Sequence, residues 1–268
     1  MTTMQGAARS AGARGVRTPA LVAGILAPLA VAAALAGQPD DPHRSTGAVP
    51  ALTPEIQTAE WAESWWMRRH EQKLADLATR TEVELVMIGD SIVHGWEQAG
   101  QDVWEQYYGD RKAFNLGFAG DRTEQVLWRL ANGAVDGIQP KLIVLMIGTN
   151  NTGHRQDPPA QTAAGIRSIL DDLQRRLPSA RILLLAIFPR EASASHELRR
   201  LNDEVNREIA RYEDGERIFF LDLIDAFLDA DGTLSEEIMP DLLHPNERGY
   251  RLWAEAMEPT IERLLGER

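Results

Sequence analysis

Five short apolar runs set the rhythm of the chain. Residues 83–88, 113–116, 142–147, 181–188 and 217–221 are rich in Val, Ile, Leu and Phe and lack strict polar alternation. That is the pattern of strands covered on both faces. Between them the apolar positions change to helical spacing. Thr123 opens a segment with Val126, Leu127 and Leu130 on one side, and helices are expected near 159–177, 197–212 and from Asn246 to about 265. A shorter amphipathic piece covers 103–108. Thr53-Pro54 reads as an N-cap followed by proline at the first helical position, which predicts a helix from there to about Ala78. Trp61, Trp65, Leu74 and Leu77 are candidates for its buried side. Strands that alternate with helices pair in parallel through right-handed crossovers. The expected fold is therefore one three-layer α/β/α sandwich around a flavodoxin-like, five-stranded parallel sheet.

Ahead of this domain the pattern is different. Arg9, Arg14 and Arg17 precede a 17-residue apolar run, 20–36, which ends in Ala34-Leu35-Ala36, and no acidic residue occurs before it. Positive flank, apolar stretch and A-x-A ending together read as a signal peptide, with an uncleaved N-terminal anchor as the alternative. Export to the periplasm or the outside follows, without stable membrane insertion once the leader is removed. Residues 37–52, rich in Pro, Asp, Gly and Ser, read as a linker, and 53–268 as the folded domain.

Four segments that end or follow strands carry the candidate chemistry. They are Gly89-Asp90-Ser91, Gly117-x-x-Gly120-Asp121, Gly148-Thr149-Asn150-Asn151 and Asp241-x-x-His244-Pro245. In a parallel sheet all carboxyl ends lie on one edge, so the first three converge there, and the fourth can fold over it. Acyl transfer needs a nucleophile, a base, an orienting group and donors for an oxyanion. Ser91 opens a helix, so its hydroxyl is exposed and its amide lacks a helical partner. His244 supplies an imidazole, the side chain that changes charge near neutral pH. Asp241, three residues earlier, can fix its tautomer, with Asp222 and Asp225 as weaker orienters. The oxyanion donors would be the amides of Ser91 and Gly120 and the side chain of Asn150, with Asn151 its nearest competitor. Ile92 and Leu243 adjoin these residues and are candidates for the substrate pocket.

These four blocks resemble the SGNH, or GDSL-type, hydrolase superfamily, whose named residues are Ser, Gly, Asn and His. Ser91, Gly120, Asn150 and His244 match them in order, and Asp241 matches the aspartate of the triad. The likeness spans about residues 80–265. It is strongest in the run from Asn115 to Leu130 and in Gly148-Thr149-Asn150-Asn151, which are similar to the branch holding the platelet-activating-factor acetylhydrolase catalytic subunits and related bacterial esterases. The resemblance implies the SGNH hydrolase fold and a serine esterase for short acyl groups. The first block reads Gly-Asp-Ser-Ile rather than Gly-Asp-Ser-Leu, which leaves the nucleophile in place. The G-x-S-x-G elbow is absent, since Val93 holds the second position after Ser91.

Composition narrows the alternatives. A formal net charge of −12, or −15 once the three leader arginines are removed, argues against nucleic acid as a partner. The chain has no cysteine, so thiolate chemistry is absent. No Walker or Rossmann glycine motif follows a strand, and no cofactor is called for. The histidines at 43, 70, 94, 154 and 196 lack ligand-like spacing and read as surface or structural. Trp61, Trp65 and Trp66, at helical spacing beside a core, read as packing residues before a sugar-stacking platform. The expected partner is a small-molecule or carbohydrate ester, and a homodimer is compatible with the sequence. The rivals are an exported carbohydrate O-deacetylase, an inactive binding module on the same fold, and a flavodoxin-like cofactor binder.

Overall fold

The computed structural model describes residues 48–266; the expected leader and most of the expected linker lie outside them. Five strands form one parallel sheet: β1 (Leu85–Gly89), β2 (Ala113–Gly117), β3 (Leu142–Met146), β4 (Arg181–Leu185) and β5 (Ile218–Leu221), in the order β2-β1-β3-β4-β5. The register pairs Leu85 with Ala113 on one side and Leu142 on the other, so β1 has a neighbour on each edge. Every residue of β1, β2 and β3 is buried, as uninterrupted apolar runs require. β4 ends at Leu185, short of the expected 188; the Ala186 amide still donates to the Leu221 carbonyl of β5, and Ala186 to Phe188 continue as buried chain.

Seven helices of the described residues cover the sheet: α1 (Trp66–Thr79), α2 (Ser91–His94), α3 (Gln101–Tyr108), α4 (Thr123–Ala131), α5 (Pro159–Arg176), α6 (Glu197–Ile209) and α7 (Glu247–Leu265). Alternation along the strands divides the core in two. Val86, Ile88, Ile143 and Leu145 face α1, α4, α5 and α6, while Leu85, Met87, Val144 and Met146 face α3 and α7. Three layers result, as expected.

The helix expected from Thr53 does not form there. Residues 50–52 and 60–62 make single 3₁₀ turns, the chain between them is extended, and α1 begins only at Trp66. The reason is where the polar groups of this segment go. The Thr53 hydroxyl donates backwards to the Val49 carbonyl, the Glu55 amide donates to the Glu124 carbonyl, and Gln57 Nε2 donates to the Gly120 carbonyl. Residues 50–62 are thus a strap tied to α4 and to Gly120 by long-range bonds between short local turns, and a helix-compatible sequence is overridden. Ala51 is wholly buried, and its carbonyl accepts from Thr123 Oγ1 at the start of α4.

The turn after β1 is possible only because β2 ends in glycine. A Cβ on Gly117 would sit 2.1 Å from the His94 amide nitrogen and 2.4 Å from the Val93 carbonyl carbon. Both contacts are backbone, so no side chain can move aside. Gly117→Ala is expected to lower stability by about 1–3 kcal/mol, read as a lower urea midpoint at unchanged slope; an unchanged midpoint would show that α2 does not depend on this approach.

Candidate active site

The turn that carries Ser91 is built first from local chemistry. Asp90 caps α2, its Oδ1 accepting the Ile92 amide at 3.0 Å, which leaves Ser91 at the first helical position with a free amide. Ser91 is half-buried. Its Oγ lies 2.8 Å from His244 Nε2, and His244 Nδ1 lies 2.6 Å from Asp241 Oδ2. Asp241 Oδ1 is also occupied, accepting the backbone amides of His244 at 2.7 Å and Leu243 at 3.1 Å. Burial raises the Asp241 carboxyl, and these hydrogen bonds outweigh it and hold the group below its usual range. The helix that follows this turn is tied to α2 from behind: Tyr250 on α7 donates its hydroxyl to the Ile92 carbonyl at 2.7 Å, and Asn246 caps α7.

The second and third segments meet each other, and the second also reaches α2 where the Ala119 amide donates to His94 Nδ1. Gly120 has φ +75°, a conformation glycine adopts freely. Its carbonyl is taken by Gln57, and no acceptor for its amide lies among the described residues. Asn150 donates one Nδ2 hydrogen to the Asp121 carbonyl at 2.9 Å, and an amide nitrogen has a second to give. Asn151 is fully spent. Its Oδ1 accepts the Thr123 amide and its Nδ2 reaches Thr123 Oγ1 and Asp157 Oδ2, so it belongs to the framework. Asn151–Arg155 winds as a π-helical turn, a form found often at functional sites.

Behind these groups is a buried ion pair. Asp121 Oδ2 accepts from Arg129 Nε at 2.8 Å and its Oδ1 from Trp66 Nε1 at 2.6 Å. Arg129 also donates to the carbonyls of Leu116 and Gly89. Arg190, buried as well, donates to the Thr149 carbonyl at 3.1 Å and holds the Asn150 loop from its other side. Burial lifts Asp90 to about 7, opposed by the Ile92 amide and by His244.

A cleft of about 220 Å³ opens beside Ser91 and His244, lined also by His94, Gln98, Ala119 and Tyr250. His94 stands three residues after Ser91, on the same side of α2, a spacing that could have marked it in the sequence. Its Nδ1 accepts the Ala119 amide at 3.3 Å. Burial, assisted by Arg69, pushes its pKa down to about 4, so it is neutral with its proton on Nε2. Ile92 and Leu243 do not line this cleft. Ile92 is buried in the core beneath the turn, and Leu243 packs half-buried against the same core. Among the described residues no three His, Asp or Glu side chains are grouped as metal ligands.

A serine at the first strand-to-helix turn of a doubly wound parallel sheet lies where such folds place their ligands. The chain belongs to the GDSL-like lipase/acylhydrolase family, whose model matches residues 87–252. Among curated relatives it is 35% identical over 219 residues to the human platelet-activating factor acetylhydrolase IB subunit alpha1, covering 81% of this chain and 92% of that one. It is 31% identical to the rat alpha2 subunit, covering 81% and 93%. Among solved structures, a GDSL-like lipase from Bacteroides thetaiotaomicron superposes with a TM-score of 0.61 at 20% identity, over 73% of this chain and 97% of that one. An acetylxylan esterase from Geobacillus stearothermophilus gives 0.53 at 21% identity, over 69% and 94%. These structures share the fold.

Arg129→Met leaves the Asp121 charge buried without its partner, and is expected to destabilise the protein by about 3–5 kcal/mol. Urea unfolding checks this; a loss below 1 kcal/mol would show that the pair does not hold the edge together. His94 gives a pH prediction. The unfolded chain protonates it near 6.5 and the folded protein only near 4, so between these values the unfolded state holds more protons. The His94 contribution to stability is therefore expected to be lost as the pH drops from about 6.5 to about 4, read as a change over that range in the urea-midpoint difference between the wild type and His94→Gln, a comparison in which the opposite contributions of Asp90 and Asp121 cancel.

Proposed function

We propose that the protein is a serine esterase that removes short acyl groups, above all acetyl, through a Ser91 acyl-enzyme. One observation carries this reading: the unbroken line Asp241 Oδ2–His244 Nδ1, 2.6 Å, and His244 Nε2–Ser91 Oγ, 2.8 Å, at the carboxyl edge of the sheet. His244 takes the Ser91 proton as Oγ attacks the ester carbonyl, and Asp241 keeps the other imidazole hydrogen in place and stabilises the cation. The carbonyl oxygen, now an anion, is received by the amides of Ser91 and Gly120 and by the free Nδ2 hydrogen of Asn150. One such donor contributes about 2.7–4 kcal/mol to the transition state. His244 then protonates the leaving alcohol. Water enters, gives its proton to His244, and attacks the acyl carbon; the tetrahedral intermediate collapses, Ser91 recovers its proton, and a carboxylate leaves.

The cleft of about 220 Å³ beside Ser91 and His244 supports a small ester group at the reacting centre. The names of the relatives, an acetylhydrolase and an acetylxylan esterase, support acetyl. The charged, apolar and A-x-A pattern of residues 1–36 supports export of the mature domain.

Ser91→Ala is expected to lower p-nitrophenyl acetate hydrolysis by at least about 10³-fold and to abolish labelling by a fluorophosphonate probe. A mutant that keeps both would place the nucleophile elsewhere. Turnover of p-nitrophenyl esters is expected to drop steadily from acetyl to octanoyl, and a maximum at octanoyl would rule out the short-acyl assignment.

A further inference from the structure

Three aromatic rings lead from the strap to the cleft. Trp61 and Trp65 are stacked, with centroids 6.1 Å apart and planes 29° apart, and Trp65 lies 5.9 Å from His94. Trp61 is 51% exposed, the most exposed large hydrophobic side chain of the described residues. The tip of its indole rests on Gly120, where a Cβ would come within 2.1 Å of Cη2. The row therefore begins at the residue whose amide faces the reacting carbonyl and ends at His94, which shares the cleft with Ser91 and His244.

We propose that Trp61, Trp65 and His94 form a leaving-group subsite that takes the sugar ring of an O-acetylated carbohydrate. This rests on the esterase reading above. A pyranose has a flat apolar face of C–H groups and a rim of hydroxyls. The half-exposed Trp61 indole, backed by the stacked Trp65, matches the first. The second is met by His94, a neutral imidazole with its Nε2 hydrogen free, and by Gln98 beside it in the cleft. The rings are set in advance: Trp65 Nε1 donates to the Trp61 carbonyl at 3.1 Å, which fixes one indole relative to the other and limits the ordering cost on binding. The ledge is open and flanked in the chain by exposed Glu60 and Glu63, an unsuitable surface for a lipid tail. Trp66, by contrast, is 1% exposed and bonded to Asp121, so it is not available to a ligand.

The test compares three acetyl esters on the full-length protein: O-acetylated xylo-oligosaccharide, triacetin, and an acetylated glycerophosphocholine. Trp61→Ala and Trp65→Ala are each expected to lower the kcat/KM ratio of the carbohydrate ester over triacetin by about tenfold, mostly through KM. Trp61→Phe should recover most of it. In Ser91→Ala protein, deacetylated xylo-oligosaccharide should quench tryptophan fluorescence saturably, and the Trp61→Ala/Trp65→Ala pair should remove that quenching. An equal loss on triacetin would mean that Trp61 only props Gly120. A loss confined to the phosphocholine ester would assign the ledge to a cationic headgroup, and absence of quenching would show that no sugar binds; each overturns the proposal. The esterase reading is judged separately, because triacetin turnover that vanishes in Ser91→Ala upholds it whatever the ledge does. The quenching needs no turnover.

Discussion

The carboxylate of Asp121 holds the functional edge of the sheet together. It is fully buried and receives Arg129 on one oxygen and the Trp66 indole on the other. A buried ion pair has a large desolvation cost, and offsets it only when every remaining donor and acceptor is satisfied. Here the guanidinium reaches the carbonyls of Gly89 and Leu116, at and beside the ends of β1 and β2, and its plane lies 4.1 Å above Phe118. The Asp121 backbone adds a third link by accepting from Asn150. One side chain and its own carbonyl thus tie together the ends of β1 and β2, the loop after β3 and the first turn of α1. The geometry proposed for the oxyanion depends on all four.

The opposite wall is made by another method. Asp241 and His244 sit in one turn, and their mutual position is set by bonds within four residues. Both oxygens of Asp241 are engaged, so its rotamer is fixed without burial. The side chains remain exposed, at 57% for Asp241 and 41% for His244, and water screens much of the field between them. Orientation, more than a low dielectric, is what this half supplies. The link to the buried half is Tyr250, whose hydroxyl bonds the Ile92 carbonyl one residue beyond Ser91. The exposed Asp241–His244 turn is in this way registered against the turn that carries Ser91.

This division explains what could be read from the sequence. The five strands stand within about two residues of their expected starts, because continuous apolar runs between glycines and prolines are a local signal. The convergence of the segments that follow β1, β2 and β3 was legible because parallel topology brings every carboxyl end to one edge. Asp241 and His244 were legible because they are close in the chain. The tertiary parts were not. Asp121 and Trp66 are 55 residues apart, and Gln57 and Gly120 are 63 apart, and neither pair carries a local pattern. The Thr53-Pro54 helix start was misread for the same reason. Its cap chemistry is sound, but the donors of that segment find better partners on α4 and on Gly120.

The strap also resolves why three tryptophans within six residues have different fates. In one continuous helix Trp61 and Trp65 would share a face, with Trp66 rotated about 100° from Trp65. The backbone breaks at Trp65, φ −138° and ψ −30°, and α1 starts anew at Trp66. That break turns Trp66 inward to Asp121 and leaves the other two rings beside the cleft. Burying an indole is among the larger stabilising contributions available to a side chain, and Trp61 forgoes about half of it. Core packing does not account for such a position, since Trp66 already closes the layer. Gly120 makes the position possible, because any Cβ there would push the indole away. The glycine is required twice at one site, by its positive φ and by the ring that lies against it.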